Sequence, residues 1–233
     1  MKISALICTF GTAKWEHLAR TRALPSVDGQ GFHEVIVLHL PDATLAQVRN
    51  AAAEQATGDH LCFIDGDDLL QPGFHGQVQR AGGGKDGAHL FTPSVQYVRG
   101  EGSGQRRGER TWPAKIWPEI DIHDGNWMII GTVVPRDLFL EVGGFREYAW
   151  SEDWAVWAMC MEAGAVPVKV PEAVYVAHVN HKSRNRSRVR AEVLYWHMRI
   201  GHDLWPDLYE QPTELEDERQ ALGTNHVRRL DGK

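Results

Sequence analysis

The stretch Leu61-Cys62-Phe63-Ile64-Asp65-Gly66-Asp67-Asp68 constrains this chain more than any other. Four apolar residues in a row read as a buried strand. Three carboxylates follow within four positions, where such a strand leaves the core, and Gly66 permits a tight bend there. Clustered carboxylates are costly unless a positive group sits among them. Hard divalent cations, Mn2+ or Mg2+, select carboxylate oxygens, and a bound nucleoside diphosphate supplies the remaining ligands. The alternative is a solvated acidic turn that caps the next helix, since Asp-Gly is a common turn pair.

The segments around this stretch give the architecture. Ile3–Cys8 and Val35–Leu38 are two more apolar runs, with residues 14–24 helical between them. Asp42 is the expected N-cap of a helix from Thr44 that carries Leu45, Val48 and Ala52 on one face, with Gly58 as its stop. The order strand, helix, strand, helix, strand implies a mostly parallel α/β sheet with right-handed crossovers. It brings Thr9, Asp42 and Asp65 to the carboxyl edge of that sheet, where such folds bind ligands. Further on, the pattern predicts a short helix after Pro72, a strand over 88–98 and a mobile Gly/Arg/Ser-rich loop over 99–110. It predicts a strand over 128–134 and a helix over 135–142. A second helix, capped by Ser151, carries Trp154, Trp157, Ala158 and Met161 on one stripe. Strands over 166–170 and 173–179 and a helix over 191–202 follow. The charged end from Thr213 reads as a peripheral helix or frayed tail.

Composition narrows the class. With 42% hydrophobic and 24% charged residues the chain is ordinary globular material, long enough for one sizeable α/β domain or a domain plus a tail. A formal net charge of -6 argues against a generic nucleic-acid binder. Cys8, Cys62 and Cys160 are an odd number inside apolar segments, which reads as buried thiols in a reducing compartment. No segment has the pattern of a signal peptide, and none reaches the roughly 18 apolar residues of a membrane span. A cytoplasmic protein is the expectation. The nine Trp residues imply a large core, a stacking surface for a sugar or base, or both.

Two more groups carry potential chemistry. Glu152-Asp153 is a pair of acids at a helix start, suited either to the helix dipole or to general-base work. His178-Val179-Asn180-His181 offers two imidazoles, as surface histidines or metal ligands. The run Lys182, Arg184, Arg186, Arg188 and Arg190 suits a leaving diphosphate, a nucleic-acid backbone or plain solvent.

Taken in order, these pieces resemble the GT-A-fold nucleotide-sugar glycosyltransferases of family 2. Thr9-Phe10 resembles that family's first nucleotide-contacting loop, and Arg49-Asn50-Ala51-Ala52 its Ala-Arg-Asn helix. Thr57 to Asp68 is close to the Ala-x-Gly to Asp-x-Asp-Asp block. Gly143-Gly144-Phe145-Arg146-Glu147 resembles the Gly-Gly-Phe-Asp-Glu loop, and Glu152-Asp153 the Glu-Asp motif. The resemblance spans residues 1–181: a nucleotide-sugar half over 1–98 and an acceptor half over 111–181, with 182–233 a basic segment and helical tail. It implies a Rossmann-like sheet flanked by helices and an inverting, metal-dependent enzyme of the hexosyltransferase type. The donor is a nucleoside diphosphate sugar, with UDP preferred, and the metal Mn2+ or Mg2+. Asp65 contacts the donor ribose or supports the metal shell, Asp67 binds the cation, and Asp68 helps hold the motif. His181 or His178 completes the metal side, with His181 preferred for its loop position. Asp153 is the implied base, with Glu152 the alternative. Thr9, Phe10, Asp42, Arg49, Arg184 and Arg186 lie on the nucleotide side. The chain departs from the family at His39-Leu40-Pro41-Asp42, where an Asp-Asp-Gly-Ser sequence is usual. The acceptor stays open among sugar, glycolipid, protein and modified DNA base. A nucleotidyltransferase, or a non-catalytic carbohydrate- or nucleic-acid-binding module on the same fold, remains the alternative.

Overall fold

A computed structural model describes residues 1–99, 110–148, 150–179 and 190–212. The first half alternates as its hydrophobic pattern dictates. β1 (Ile3–Phe10) leads into α1 (Ala13–Leu18), a π-helical segment (Ala19–Ala23) and α2 (Leu24–Val27). β2 (Glu34–Leu40), α3 (Leu45–Gln55) and β3 (His60–Asp65) follow, then the short β4 (Leu69–Leu70), α4 (Phe74–Gly82) and β5 (His89–Arg99). β6 (Arg110–Thr111), β7 (Val133–Pro135), α5 (Arg136–Glu141), α6 (Glu152–Glu162), β8 (Val166–His178) and α7 (Arg190–Leu204) complete the described order.

The strands form one sheet in the order β2-β1-β3-β7-β5-β8-β4, with β6 on β5. β1 pairs parallel with β2 and β3, and β5 parallel with β8; these long ladders carry most of the pairing. β7 inserts antiparallel between β3 and β5. Helices cover both faces, and the period-two alternation of the strands divides the core between them. Leu6, Cys8, Leu61 and Phe63 face α3, α5, α6 and α7, whereas Ile3, Ala5, Ile7, Cys62 and Ile64 face the π-helical segment, α2 and α4. Phe63 packs against Phe139 and Phe145 at ring separations of 5.1 and 5.0 Å. Burying an aromatic of this size contributes about 1.5–3 kcal/mol.

Several expectations are corrected. Thr44, not Asp42, caps α3: its hydroxyl accepts from the Gln47 N–H while the Gln47 side chain accepts from the Thr44 N–H. α3 ends at Gln55 with Ala56 as its C-cap, and Gly58 is needed because a Cβ there would strike Ser4 and the Lys2 carbonyl. Of the apolar run 128–134 only Val133 and Val134 are strand, in β7; Ile130 and Gly131 turn instead, Gly131 taking a φ of 97° against the ring of Tyr175. The two strands over 166–179 are one, β8, whose register to β5 shifts between Pro93 and Ser94. Ser151 stands at the N-cap of α6 without a side-chain cap, in a left-handed backbone at φ 56°. α6 is buried nearly all round, so Trp154 and Trp157 are core residues. The three thiols are buried as expected, and burial pushes Cys8 and Cys160 up to about 12. Among the described residues no helix is long and apolar enough to cross a membrane.

Candidate active site

β3 delivers Asp65 to the sheet edge beside Cys8 of β1, and the chain then turns through Gly66 and Asp67. Glycine stands at 66 for a different reason than a special backbone angle. A Cβ there would collide with the Thr9 methyl, so the acidic turn lies directly on the end of β1. Arg22, from the π-helical segment, donates to the Asp67 carbonyl at 3.0 Å and holds the turn from the other side. The Thr9 hydroxyl shares a hydrogen bond of 3.0 Å with His39 Nδ1, whereas Phe10 stands exposed at the edge. Asp42 is exposed one loop away, which the Gly11 N–H joins by donating to the Pro41 carbonyl at 3.1 Å.

The three acids of the turn have separate fates. Asp68 points inward: Tyr175 donates its hydroxyl to Oδ2 at 2.9 Å, and the His178 N–H donates to Oδ1 at 2.7 Å. Burial first, then the charges of Asp67 and Asp65, hold its carboxyl well above the usual range. With both oxygens committed, Asp68 is a scaffold residue. The Tyr175 oxygen also accepts from the Asp65 N–H at 3.1 Å, so one phenol fixes both ends of the turn. Asp65 and Asp67 remain half-exposed at the surface of the cleft.

Arg49 decides how the halves of the molecule meet. It is fully buried on α3, where the sequence reading put it against a nucleotide. Its Nη2 donates to Asp65 Oδ1 at 2.7 Å and its Nη1 to Glu152 Oε1 at 2.9 Å. The guanidinium also stands 4.8 Å from the Phe145 ring. The next residue, Asn50, clasps Phe145 through two backbone bonds of 2.9 Å. Gly144 carries a φ of 67° beneath that clasp, because a Cβ would press on Asn50 Oδ1. Two successive residues of α3 therefore tie the acidic turn, the Gly-Gly-Phe loop and the Glu-Asp pair together.

Asp153 heads α6, and its Oδ1 accepts from the Trp154 N–H at 2.9 Å. Burial and the neighbouring Glu152 charge push its carboxyl up to about 7, against the opposing pull of Arg49, the Trp154 N–H and the Asn126 side chain. A carboxyl near neutrality is suited to exchanging a proton with a hydroxyl. Glu152 is instead spoken for by Arg49.

Among the described residues no three His, Cys, Asp or Glu side chains converge as a ready metal cage. Asp65 and Asp67 supply two hard oxygen donors, and the half-buried His178 stands beside Asp68, its Nδ1 3.9 Å from Oδ1. That donor set fits a cation that draws its other oxygens from a diphosphate and water. His181, Arg184 and Arg186 lie outside the described residues, as do 100–109 of the expected mobile loop. Sequence reasoning missed Tyr175, Asn126 and Arg22. Nothing local marks a mid-strand tyrosine as the anchor of a distant turn.

Residues 22–137 match the model of glycosyl transferase family 2. No curated protein sequence matches the chain. Among solved structures, S. aureus TarS is similar over 95% of this chain and 42% of its own, at 17% identity and a TM-score of 0.54. Residues 1–349 of TarS in complex with UDP give 16% identity and a TM-score of 0.55, covering 95% of this chain and 70% of that one. The complex with UDP-GlcNAc gives 16% and 0.53 at the same coverages. This chain thus spans less than half of the longer TarS chain, and at such identities the likeness is one of fold. The match over residues 22–137 and the shared architecture make this chain similar to the family 2 glycosyl transferases, on a GT-A-like fold.

Proposed function

We propose that this protein moves a sugar from a nucleoside diphosphate sugar to an acceptor hydroxyl, with inversion and with a divalent cation. The observation that carries the reading is the Arg49 bridge, which couples the acid of the donor edge, Asp65, to the neighbour of the proton acceptor, Glu152. The UDP and UDP-GlcNAc complexes of TarS support a uridine nucleotide. Asp67 and Asp65, with His178 or His181, would hold Mn2+ or Mg2+. When bound, the cation acts as a Lewis acid for the diphosphate.

The rest is done by this chain's own groups. Asp153 receives the proton as the acceptor oxygen bonds to the anomeric carbon and the bond from that carbon to the phosphate oxygen breaks, the electron pair leaving with the diphosphate. Phe10 offers an apolar edge to the base, and Asp42 lies on the neighbouring loop. Arg184 and Arg186 are the expected partners of the leaving charge. Arg49 acts through Asp65 and Glu152 rather than by touching the nucleotide.

A panel of nucleotide sugars, with and without Mn2+ or Mg2+, tests this by thermal shift and by release of nucleoside diphosphate. A uridine diphosphate sugar is expected to stabilise the protein with metal, and Asp67→Ala to remove the metal-dependent part. Binding with no turnover in the presence of acceptors would favour the non-catalytic binding module. Absence of any nucleotide-sugar binding would refute both.

A further inference from the structure

Residues 112–117 run back along β5 and place an exposed aromatic beside the cleft. Val95 and Lys115 exchange two backbone hydrogen bonds, of 2.7 and 3.0 Å, which pin this segment to the strand. The Lys115 ammonium lies 3.5 Å from the centre of the Trp117 ring and 5.9 Å from that of Tyr97. A tryptophan fixed this way loses little further entropy when a ligand covers it. Trp117 nevertheless stays 37% exposed, whereas Trp127, Trp154 and Trp157 are buried.

Tyr97 places the cluster at the chemistry. Tyr97 pairs with Ala177 of β8, the residue before His178, whose N–H donates to Asp68 at 2.7 Å, so the cluster lies next to the strand end that holds the acidic turn. Asn126, at the far end of the same irregular segment, is among the groups that oppose the rise of the Asp153 pKa.

We propose that Tyr97, Lys115 and Trp117 form an acceptor subsite that takes the ring of an uncharged carbohydrate. The inference rests on the transfer reaction proposed above and names its acceptor class. The C–H face of a pyranose stacks on an indole, and the ammonium donates hydrogen bonds to ring hydroxyls. Charge decides against a polyanion. Glu119, Asp121, Glu162 and His123, the last bonded to Asp121 and Glu162, line an open groove of about 640 Å3 a few residues further on, and the cleft itself holds Asp65, Asp67 and Asp153. Among the described residues Lys115 stands on the Trp117 ring and Lys169 is already paired with Glu119 at 3.7 Å, so a phosphodiester chain laid there would meet mostly acids. Hydroxyls meet carboxylates as hydrogen-bond donors.

Titrating the protein with uncharged oligomers of glucose, galactose, mannose and N-acetylglucosamine, with a single-stranded oligonucleotide as the polyanion, tests the subsite directly. At least one oligomer is expected to bind and to change indole fluorescence. Trp117→Ala should weaken it about tenfold and Trp117→Phe much less, since the smaller ring still stacks. In the transfer assay the Ala variant should raise the acceptor KM and leave the pH midpoint of the rate in place. No oligosaccharide binding, an unchanged affinity in Trp117→Ala, or preferential binding of the oligonucleotide would each overturn the proposal. The two readings fail separately. Oligosaccharide binding through Trp117 without consumption of any nucleotide sugar sinks the transfer reaction alone. Consumption of donor with an acceptor KM indifferent to Trp117 sinks the subsite alone.

Discussion

Replacing Arg49 by Met tests what holds the cleft together. The methionine keeps an unbranched apolar stem in the space beside Phe145 but removes the charge between Asp65 and Glu152. The cost follows from where each carboxylate lies. The Glu152 side chain is 9% exposed, so losing its partner strands a charge that water barely reaches, a loss of about 3–5 kcal/mol. The Asp65 side chain is 34% exposed, so solvent recovers most of its loss, leaving about 0–1 kcal/mol. Equilibrium urea unfolding, followed by circular dichroism and tryptophan fluorescence, should register a total near the upper part of that range. Adding Glu152→Gln to Arg49→Met should recover much of it, and adding Asp65→Asn much less, which a double-mutant cycle separates. Arg49 also lowers the Asp153 pKa, so the midpoint of the transfer rate should move upward in pH in the single variant. If Arg49→Met cost under about 1 kcal/mol, or if Glu152→Gln restored nothing, the bridge would not be what joins the two halves.

Other outcomes follow from the same contacts. Arg49→Lys should fail almost as badly as Met in the transfer assay. Separate N–H groups of one planar fork reach two carboxylates at 2.7 and 2.9 Å, and a single ammonium does not span both. Asp153→Asn should lower the transfer rate by about 10²–10⁴. It should also stabilise the protein at pH 8 by about 1–2 kcal/mol, discounted for partial exposure. The sign follows from a folded-state pKa raised to about 7: the stabilisation belongs to the protonated form and is lost as pH rises through 7. Glu34 behaves oppositely. Burial opposes its charge, but hydrogen bonds from Ser4, Thr57 and the Gly58 N–H hold it at about 2. Its contribution is therefore present above the usual glutamate range and lost as pH falls towards 2, and Glu34→Gln should flatten acid unfolding in that window.

Strand polarity made much of this legible. Period-two burial and the strand-helix alternation put Thr9, Asp42 and Asp65 at one edge, and the structure keeps them there. What failed was local competition. Asp42 and Thr44 were both fit to cap α3, and the Gln47 side chain settled it, because only Thr44 stands three residues before a glutamine that can close the box. The apolar run 128–134 looked like a strand because its residues are buried, yet Met128 and Ile130 pack under a turn that Gly131 makes against Tyr175. Burial was read correctly there and backbone geometry was not, since hydrophobicity reports the first and says little about the second.

Asp65, Glu152 and Phe145 are far apart in the chain, and no pattern in their own neighbourhoods pairs them. The link lies in the adjacency of Arg49 and Asn50. Neighbouring helix residues point about 100° apart, so one position of α3 faces the end of β3 while the next faces the Gly-Gly-Phe loop. The Asn50 side chain holds that loop by two bonds to the Phe145 backbone, and the same turn of helix carries the guanidinium that holds Glu152. One turn of α3 thus ties the acidic turn, the Gly-Gly-Phe loop and the Glu152-Asp153 pair to one another through side-chain contacts.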